Sequence, residues 1–529
     1  MRRRFQALCQ APEGALDSDV CVVGTGPAGA ALARELSGSG LRVLLVESGG
    51  MERRPEADAL NEVENAGHAR IEDQWLVRNR ILGGTSHTWS GRCVPFDDID
   101  FRPRAWVPQS GWPLQPGELR PYLERAAPYL GLSVGTGFAG DGFWELAGRR
   151  RRIPAFDEDR LIPHFWQFSR AAHGPRGYTR FGPPLPEQLG KAVTLLLNTT
   201  LCDIHLNEAC DKVAAITLAG EEGERRLVPV KALVLCCGGI ENARLLLCAN
   251  GQIPAGIGNA RDQVGRYLMD HLRGPTGQFS LRGTARLRRV FGHYRIAGGQ
   301  VFAAGLRLSP AMQAQEGLLN ASAWLEGRIA GDDPWNAMKA LARGRAGPRQ
   351  MVDIAGNAGL LLRGVRDHVL ARNGLPRKID RLDLVCMIEQ WPDPESRVRL
   401  SSRRDRLGMP LARIDWRVHE EEARSLRRLT ALVAVEFTRL GLPPLHPEAW
   451  VAMAGPLPEM FMDVAHPTGT TRMGDDPARS VVDRNSQVHG VSGLFVAGSS
   501  VFPTSSHANP TQMIVALALR LADRLRARQ

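Results

Sequence analysis

The sequence predicts an α/β fold: a parallel, nucleotide-binding sheet assembled from distant stretches of chain, carrying an inserted, mainly antiparallel sheet domain capped by helices. Three observations carry this reading. Near the N-terminus a glycine-rich turn sits between an apolar run and a small-residue run, as a β-turn-α unit requires. Two more segments of the same strand-then-glycine-turn kind follow, one in mid-chain and one near the C-terminus. Between them, residues 276–460 change to alternating stretches such as GGQVFAAGLRL and RLDLVCMIEQW, the pattern of half-buried antiparallel strands.

The bulk properties narrow the class. With 529 residues the chain exceeds one small core and suits two interleaved domains, or three at most. Its 43% hydrophobic and 23% charged residues are ordinary globular chemistry, which excludes fibrous and disordered classes. The net charge of +11 comes almost entirely from scattered arginine, so no nucleic-acid partner is expected. Nine cysteines without regular spacing argue against a disulfide framework and for a reducing, cytoplasmic setting. Adjacent Cys236 and Cys237 read as small buried strand residues. Arg2, Arg3 and Arg4 are followed by no apolar stretch, and no window of about eighteen apolar residues occurs, so neither a leader nor a transmembrane segment is expected. No metal site is expected.

In chain order, residues 19–23 form a strand, about 28–40 a small-residue helix and 41–47 a second strand. The turn between the first two reads GTGPAG. Gly24 permits the tight bend, Gly26 lets the backbone approach a pyrophosphate, and Gly29 lets helix and strand pack closely. Pro27 and Ala28 open the helix, whose free N–H groups and partial positive charge suit phosphate. Glu47 ends the second strand, with Ser48 beside it. A carboxylate there can accept both hydrogens of a ribose diol and repels a 2′-phosphate, which favours FAD or NAD over NADP.

Residues 51–80 read as a polar surface excursion, 82–91 as a glycine-flanked loop and 95–135 as ordered loop with short helices. Strands are expected over 193–197 and 212–218. A buried strand over 232–237 leads into a glycine turn and a helix over 241–249. A helical interlude over 335–373, with Leu and Arg on opposite faces, reads as a pair of cap helices. The last segment returns to strand and glycine turn and ends in a long helix over 511–526. The nucleotide-binding domain is therefore expected from 1–275 with interruptions and 461–529, and the substrate domain from 276–460. Three separate contact segments imply a long cofactor lying across the domain, which fits FAD better than a dissociable nicotinamide.

The runs VVGTGPAGAALARELSGSGLRVLLVESG, LGGTSHTWSGRCVPFDDIDF, CCGGIENARLLL, VGRYLMDH, PDPESRVRLS, HPTGTTRMG and NPTQMIVALALRLAD together resemble those of the glucose–methanol–choline (GMC) oxidoreductases, in the family's order. The resemblance implies a Rossmann-type FAD domain and oxidation of an alcohol, with hydride passing to flavin N5. It places the catalytic pair at His466 and Asn509. The residue chemistry agrees: an imidazole near neutrality can take the hydroxyl proton, and a neutral amide can hold the developing alkoxide. His507, two residues before Asn509, is the rival candidate. The resemblance sets Gly83, Gly84, Ser86 and His87 beside the flavin ring, and Ala497, Gly498, Pro510 and Thr511 against the cofactor. Where some members carry a flavin-linking histidine this chain has Thr88, so non-covalent FAD is expected. Asp270 and His271 read as structural.

The resemblance points to a sugar, glycoside or polyol-like alcohol, with a sterol or other hydrophobic alcohol as the alternative. A flavoprotein that reduces or isomerises, and a non-catalytic flavin-binding partner subunit, are the rivals from other classes. Oxygen, a quinone or a protein would accept the electrons. The sequence leaves the oligomeric state open.

Overall fold

The computed structural model describes residues 3–528 apart from 13, 134–137, 140–141, 149, 171–176, 297–298 and 370–376. A six-stranded sheet runs in the order Arg3–Phe5, Val193–Leu196, Val43–Val46, Val20–Val23, Leu233–Leu235, Leu494–Val496, every neighbour parallel. Its inner strands VCVV, VLLV and LVL are buried at every position, as a sheet covered on both faces demands. The strands come from the start, the middle and the end of the chain, as the sequence pattern requires. Helix Pro27–Leu36 packs against helix Thr511–Arg526, which in turn packs on Pro116–Leu130. The Pro116–Leu130 helix has 15 residues, so the segment expected to be loop with short helices holds a long one. Gln115 and Glu118 form its capping box.

The second sheet has ten strands. Its main path is Leu445–Pro447, Leu272–Phe279, Ile379–Ile388, Ala321–Ile329, Val301–Leu308, Leu161–Phe168, Arg92–Cys93, with antiparallel neighbours throughout. Two of these strands precede residue 276 entirely and a third begins before it. The boundary at 275/276 is therefore corrected: the chain enters the substrate sheet twice before it settles there. The strand LIPHFWQF is apolar nearly throughout, with no clean alternation to mark it as part of that sheet.

The segment over 51–80 is also more than a surface excursion. Its strand Val63–Gly67 pairs in parallel with Pro410–Trp416 in a separate three-stranded sheet, and its later residues reach the cavity described below. The helical interlude holds three helices, Pro334–Ala342, Pro348–Gly356 and Ala358–Val369, where a pair was expected; 370–373 lie outside the described residues. Among the described residues no helix is long and apolar enough to cross a membrane, and all nine cysteines are unpaired.

Candidate functional site

A cavity of about 790 Å³ is walled by both large sheets. One end lies over the first glycine turn. Gly24 bends with φ +97°, and a Cβ on Gly29 would stand 1.9 Å from the Gly24 carbonyl oxygen, so both positions require glycine. A Cβ on Gly26, by contrast, would meet open space in the cavity. Gly26 caps helix Pro27–Leu36 without any side-chain hydrogen bond, which leaves the helix's first N–H groups free. Gly24, Gly26, Pro27 and Ala28 are on the wall, while Gly29 lies behind it as the packing glycine.

Glu47 and Ser48 are also on the wall. The Glu47 carboxylate accepts from Thr25 N (2.9 Å), Thr25 Oγ1 (2.6 Å) and Gly49 N (3.0 Å). Of about four acceptor positions on a carboxylate, that leaves one, on Oε1, so it has room for one ribose hydroxyl and not for both as first expected. Burial pushes its pKa up, against the pull of those three donors. Arg80 donates to Ser48 Oγ (2.9 Å) and ion-pairs with Glu241 (3.0 Å), which Arg78 also reaches (3.2 Å). Neither arginine stood out in the sequence; each lies in the segment taken for surface.

In the second loop Gly84, Ser86 and Thr88 face the cavity. Gly83 and His87 do not. The Gly83 N–H donates to Thr25 Oγ1 (2.9 Å), and the His87 ring is drawn back onto the Leu82 carbonyl through Nε2 (2.9 Å). At the C-terminal turn Gly498, Pro510 and Thr511 are on the wall, but Ala497 is buried behind it, its carbonyl accepting from Asn242 Nδ2 (3.1 Å). Cys237 also borders the cavity; burial pushes its thiol up to about 12, so it is a protonated donor to the Val23 carbonyl and no redox centre.

His466 and Asn509 share this cavity. His271 Nδ1 lies 2.9 Å from His466 Nδ1, with the rings edge to face. His271 Nε2 lies 2.8 Å from the Ser506 carbonyl and 3.2 Å from that of Ser505. A carbonyl only accepts, so Nε2 of His271 carries the hydrogen and its Nδ1 is a lone pair. His466 Nδ1 must then donate, which puts the remaining lone pair on His466 Nε2. This tautomer is assigned from the partners. Burial holds His466 well below the usual imidazole range, and the neighbouring His271 adds to the effect. His271 is lowered to about 4, again by burial, against the pull of the two carbonyls. Both rings are neutral at neutral pH. The arrangement leaves one unprotonated ring nitrogen available to take a proton.

The loop bearing His466 is fixed by charge. Asp270 Oδ1 accepts from the N–H groups of His466 and His271, both at 2.8 Å, and Arg70 spans Asp270 (2.9 Å) and Asp463 (3.2 Å). Burial, with Asp463 close by, pushes Asp270 up to about 6. Thus Asp270 is structural, as expected, but His271 bears directly on the candidate base. The only sequence signal for it was a buried-looking Asp-His pair in VGRYLMDH. Asn509 Oδ1 is buried with no partner among the described residues. His507 is not on the wall; it is fully buried, with Nε2 3.2 Å from Asp97.

These features fit an FAD: an uncapped helix start, open space over Gly26 and a buried carboxylate with spare capacity. Among the described residues no cluster suits a metal ion. Residues 392–518 match the family model described as GMC oxidoreductase, and residues 17–107 match one described as FAD binding domain. Over 545 residues the chain is 26% identical to paromamine 6'-oxidase of Streptomyces fradiae, covering 95% of this chain and 90% of that enzyme. It is 30% identical over 321 residues to the fructose dehydrogenase large subunit of Gluconobacter japonicus, covering 60% of this chain and 51% of that subunit. Pyridoxine 4-oxidase from Mesorbium loti shares the fold, with a TM-score of 0.56 at 17% identity over 96% of this chain and 99% of that one.

Proposed function

The chain belongs to the GMC oxidoreductases, FAD enzymes acting on alcohol CH–OH groups, and from that premise we propose that it oxidises a hydroxyl of a sugar, glycoside or similar polyol to the carbonyl. Bound FAD, held by the Gly24–Ala28 turn, Glu47, Ser48 and the Gly498 and Pro510 turns, supplies the acceptor for the hydride leaving the alcohol carbon. His466 Nε2 takes the hydroxyl proton. Asn509 donates its amide hydrogen to the oxygen as negative charge develops there. An amide keeps that donor at any working pH.

The observation that carries the proposal is the His271–His466 contact at 2.9 Å, which sets the His466 tautomer with its lone pair on Nε2. Without it, either nitrogen could carry the hydrogen. Relatives named for paromamine and for fructose support a sugar-like alcohol.

The test is anaerobic bleaching of the yellow protein by a panel of sugars, glycosides and aliphatic alcohols, comparing the parent with His466→Ala. Bleaching that the substitution slows by at least about 100-fold supports the base. Equal bleaching by a flavin-loaded variant refutes it, and no bleaching by any alcohol points to a partner subunit. Admitting air afterwards separates an oxidase from a dehydrogenase.

A further inference from the structure

We infer that the cavity ends in a subsite for an anionic substituent, and that the alcohol oxidised is a sugar acid or another carboxylate-bearing polyol held by Arg92. The inference deepens the alcohol oxidation proposed above and rests on it.

Arg92 begins the short Arg92–Cys93 strand at the edge of the substrate sheet and lies on the cavity wall. Its guanidinium carbon is 4.6 Å from the centre of the Trp324 ring and 5.0 Å from that of Trp166. Arg273 approaches Trp324 as well, at 5.3 Å. The two guanidiniums differ in one respect. Arg273 is paired with Glu326 at 2.5 Å. Arg92 makes no hydrogen bond or ion pair among the described residues, and none of its nitrogens is sealed from the cavity space. His293, also on this wall, is held below the usual imidazole range by burial and by Arg92, and so adds no charge at neutral pH. Among the wall residues here, Arg92 is therefore the guanidinium without a carboxylate partner of its own.

Arg78 and Arg80, by contrast, share the Glu241 carboxylate with Arg244, so each has a carboxylate partner within the protein. A guanidinium packed on the buried rings of Trp166 and Trp324 without a carboxylate partner is partly desolvated, a cost that a ligand can offset. Stacking on indole rings offsets part of that cost but uses the faces of the guanidinium, not its edge. The edge keeps five N–H donors in one plane, the shape that takes a carboxylate through two parallel bonds. Burial and Arg273 lower Arg92 to about 10, which still leaves it protonated at neutral pH.

The subsite and the base share one cavity. His271, which touches His466, precedes Arg273 by two residues at the start of the Leu272–Phe279 strand. Two residues of extended chain span roughly 7 Å, and of the two Arg273 is on the cavity wall with His466. A sugar ring with its hydroxyl at His466 would carry a carboxylate substituent toward the Arg273–Trp324–Arg92 stack.

The test uses the FAD-loaded enzyme and three matched probes: a methyl glycoside, the corresponding uronate and the corresponding amino sugar. The uronate should bleach the flavin with kcat/KM about 10- to 100-fold above the glycoside, with the amino sugar lowest. Arg92→Met should abolish that order mainly through KM, and Arg92→Lys should restore part of it. A binding measurement independent of turnover titrates the oxidised flavin spectrum with the uronate; Arg92→Met should weaken binding at least about tenfold. Equal or better use of the neutral or cationic probe overturns the subsite while leaving alcohol oxidation standing. If no probe bleaches the flavin, the sugar-type alcohol proposed above fails, and the titration still decides the subsite: equal affinity in parent and Arg92→Met overturns it.

Discussion

Replacing His271 with leucine should slow flavin reduction without touching the residue proposed to take the proton. The substitution removes the lone pair that accepts from His466 Nδ1 at 2.9 Å. A buried donor left without a partner costs about 1–3 kcal/mol. His466 escapes that cost by moving its hydrogen to Nε2, the nitrogen proposed as base. At 1.4 kcal/mol per factor of ten, the competent tautomer falls by about 5- to 150-fold, and the reduction rate with it. The assay is anaerobic stopped-flow flavin reduction across alcohol concentrations, which separates the rate from the affinity; the affinity should change little. His271→Asn keeps an acceptor near the same place and should recover most of the rate. The pH dependence gives a second readout. His271 is lowered from 6.5 to about 4 when folded, so between those values the unfolded chain binds a proton that the folded chain does not. Its stabilising contribution is complete above pH 6.5 and is lost as pH falls toward 4, about 3 kcal/mol in all. His271→Leu should flatten that part of the stability profile. Reduction at the parent rate by a folded, yellow His271→Leu, or equal slowing in His271→Asn, would refute the tautomer argument.

His466→Ala should keep its flavin and lose about 100- to 10,000-fold in reduction rate, read by the same stopped-flow assay. Asn509→Ala should cost about 100- to 1,000-fold in rate with little change in alcohol affinity. Gly29→Ala places a methyl 1.9 Å from the Gly24 carbonyl oxygen, so the turn cannot close; the protein should be recovered colourless or insoluble, as its absorbance shows. Arg70→Met leaves Asp270 and Asp463 buried without their shared cation and should cost about 3–5 kcal/mol in denaturant unfolding.

Five strands of the parallel sheet were legible as short apolar runs; the sixth, Arg3–Phe5, was not, because RRF carries no such signal. The helix over 511–526 was read to the residue, since its apolar face and polar flanks are both continuous. The substrate sheet was legible only where it is contiguous. Leu161–Phe168 and Arg92–Cys93 join it from far away, and nothing local in LIPHFWQF or RC names the partner strand. The same gap explains the site. His466 and Asn509 could be proposed from their own runs. Arg78, Arg80, Arg92 and His271 could not, because what they do depends on neighbours more than 100 residues away, such as Glu241 for Arg80 (161 residues) and His466 for His271 (195 residues). His87 went astray for the opposite reason: it sits in a cavity loop, but a carbonyl five residues back takes its ring.

The readiness of His466 is thus a property of several chain segments, and the backbone carries part of the cost. Ala465, just before the base, has φ +60°, as does Ser506, whose carbonyl fixes the His271 tautomer. Neither is glycine, and a left-handed residue with a Cβ costs roughly 1–2 kcal/mol. Such positions persist only where the surroundings hold them. Around Ala465 the holding is visible: its N–H meets Asp463 at 3.3 Å, the next N–H meets Asp270 at 2.8 Å, and Arg70 joins the two carboxylates. The network therefore acts on the direction of one lone pair. It ties the loop bearing His466 to the Asp270–His271 segment that leads into the Leu272–Phe279 strand, so the proposed base is set by residues nearly 200 positions apart.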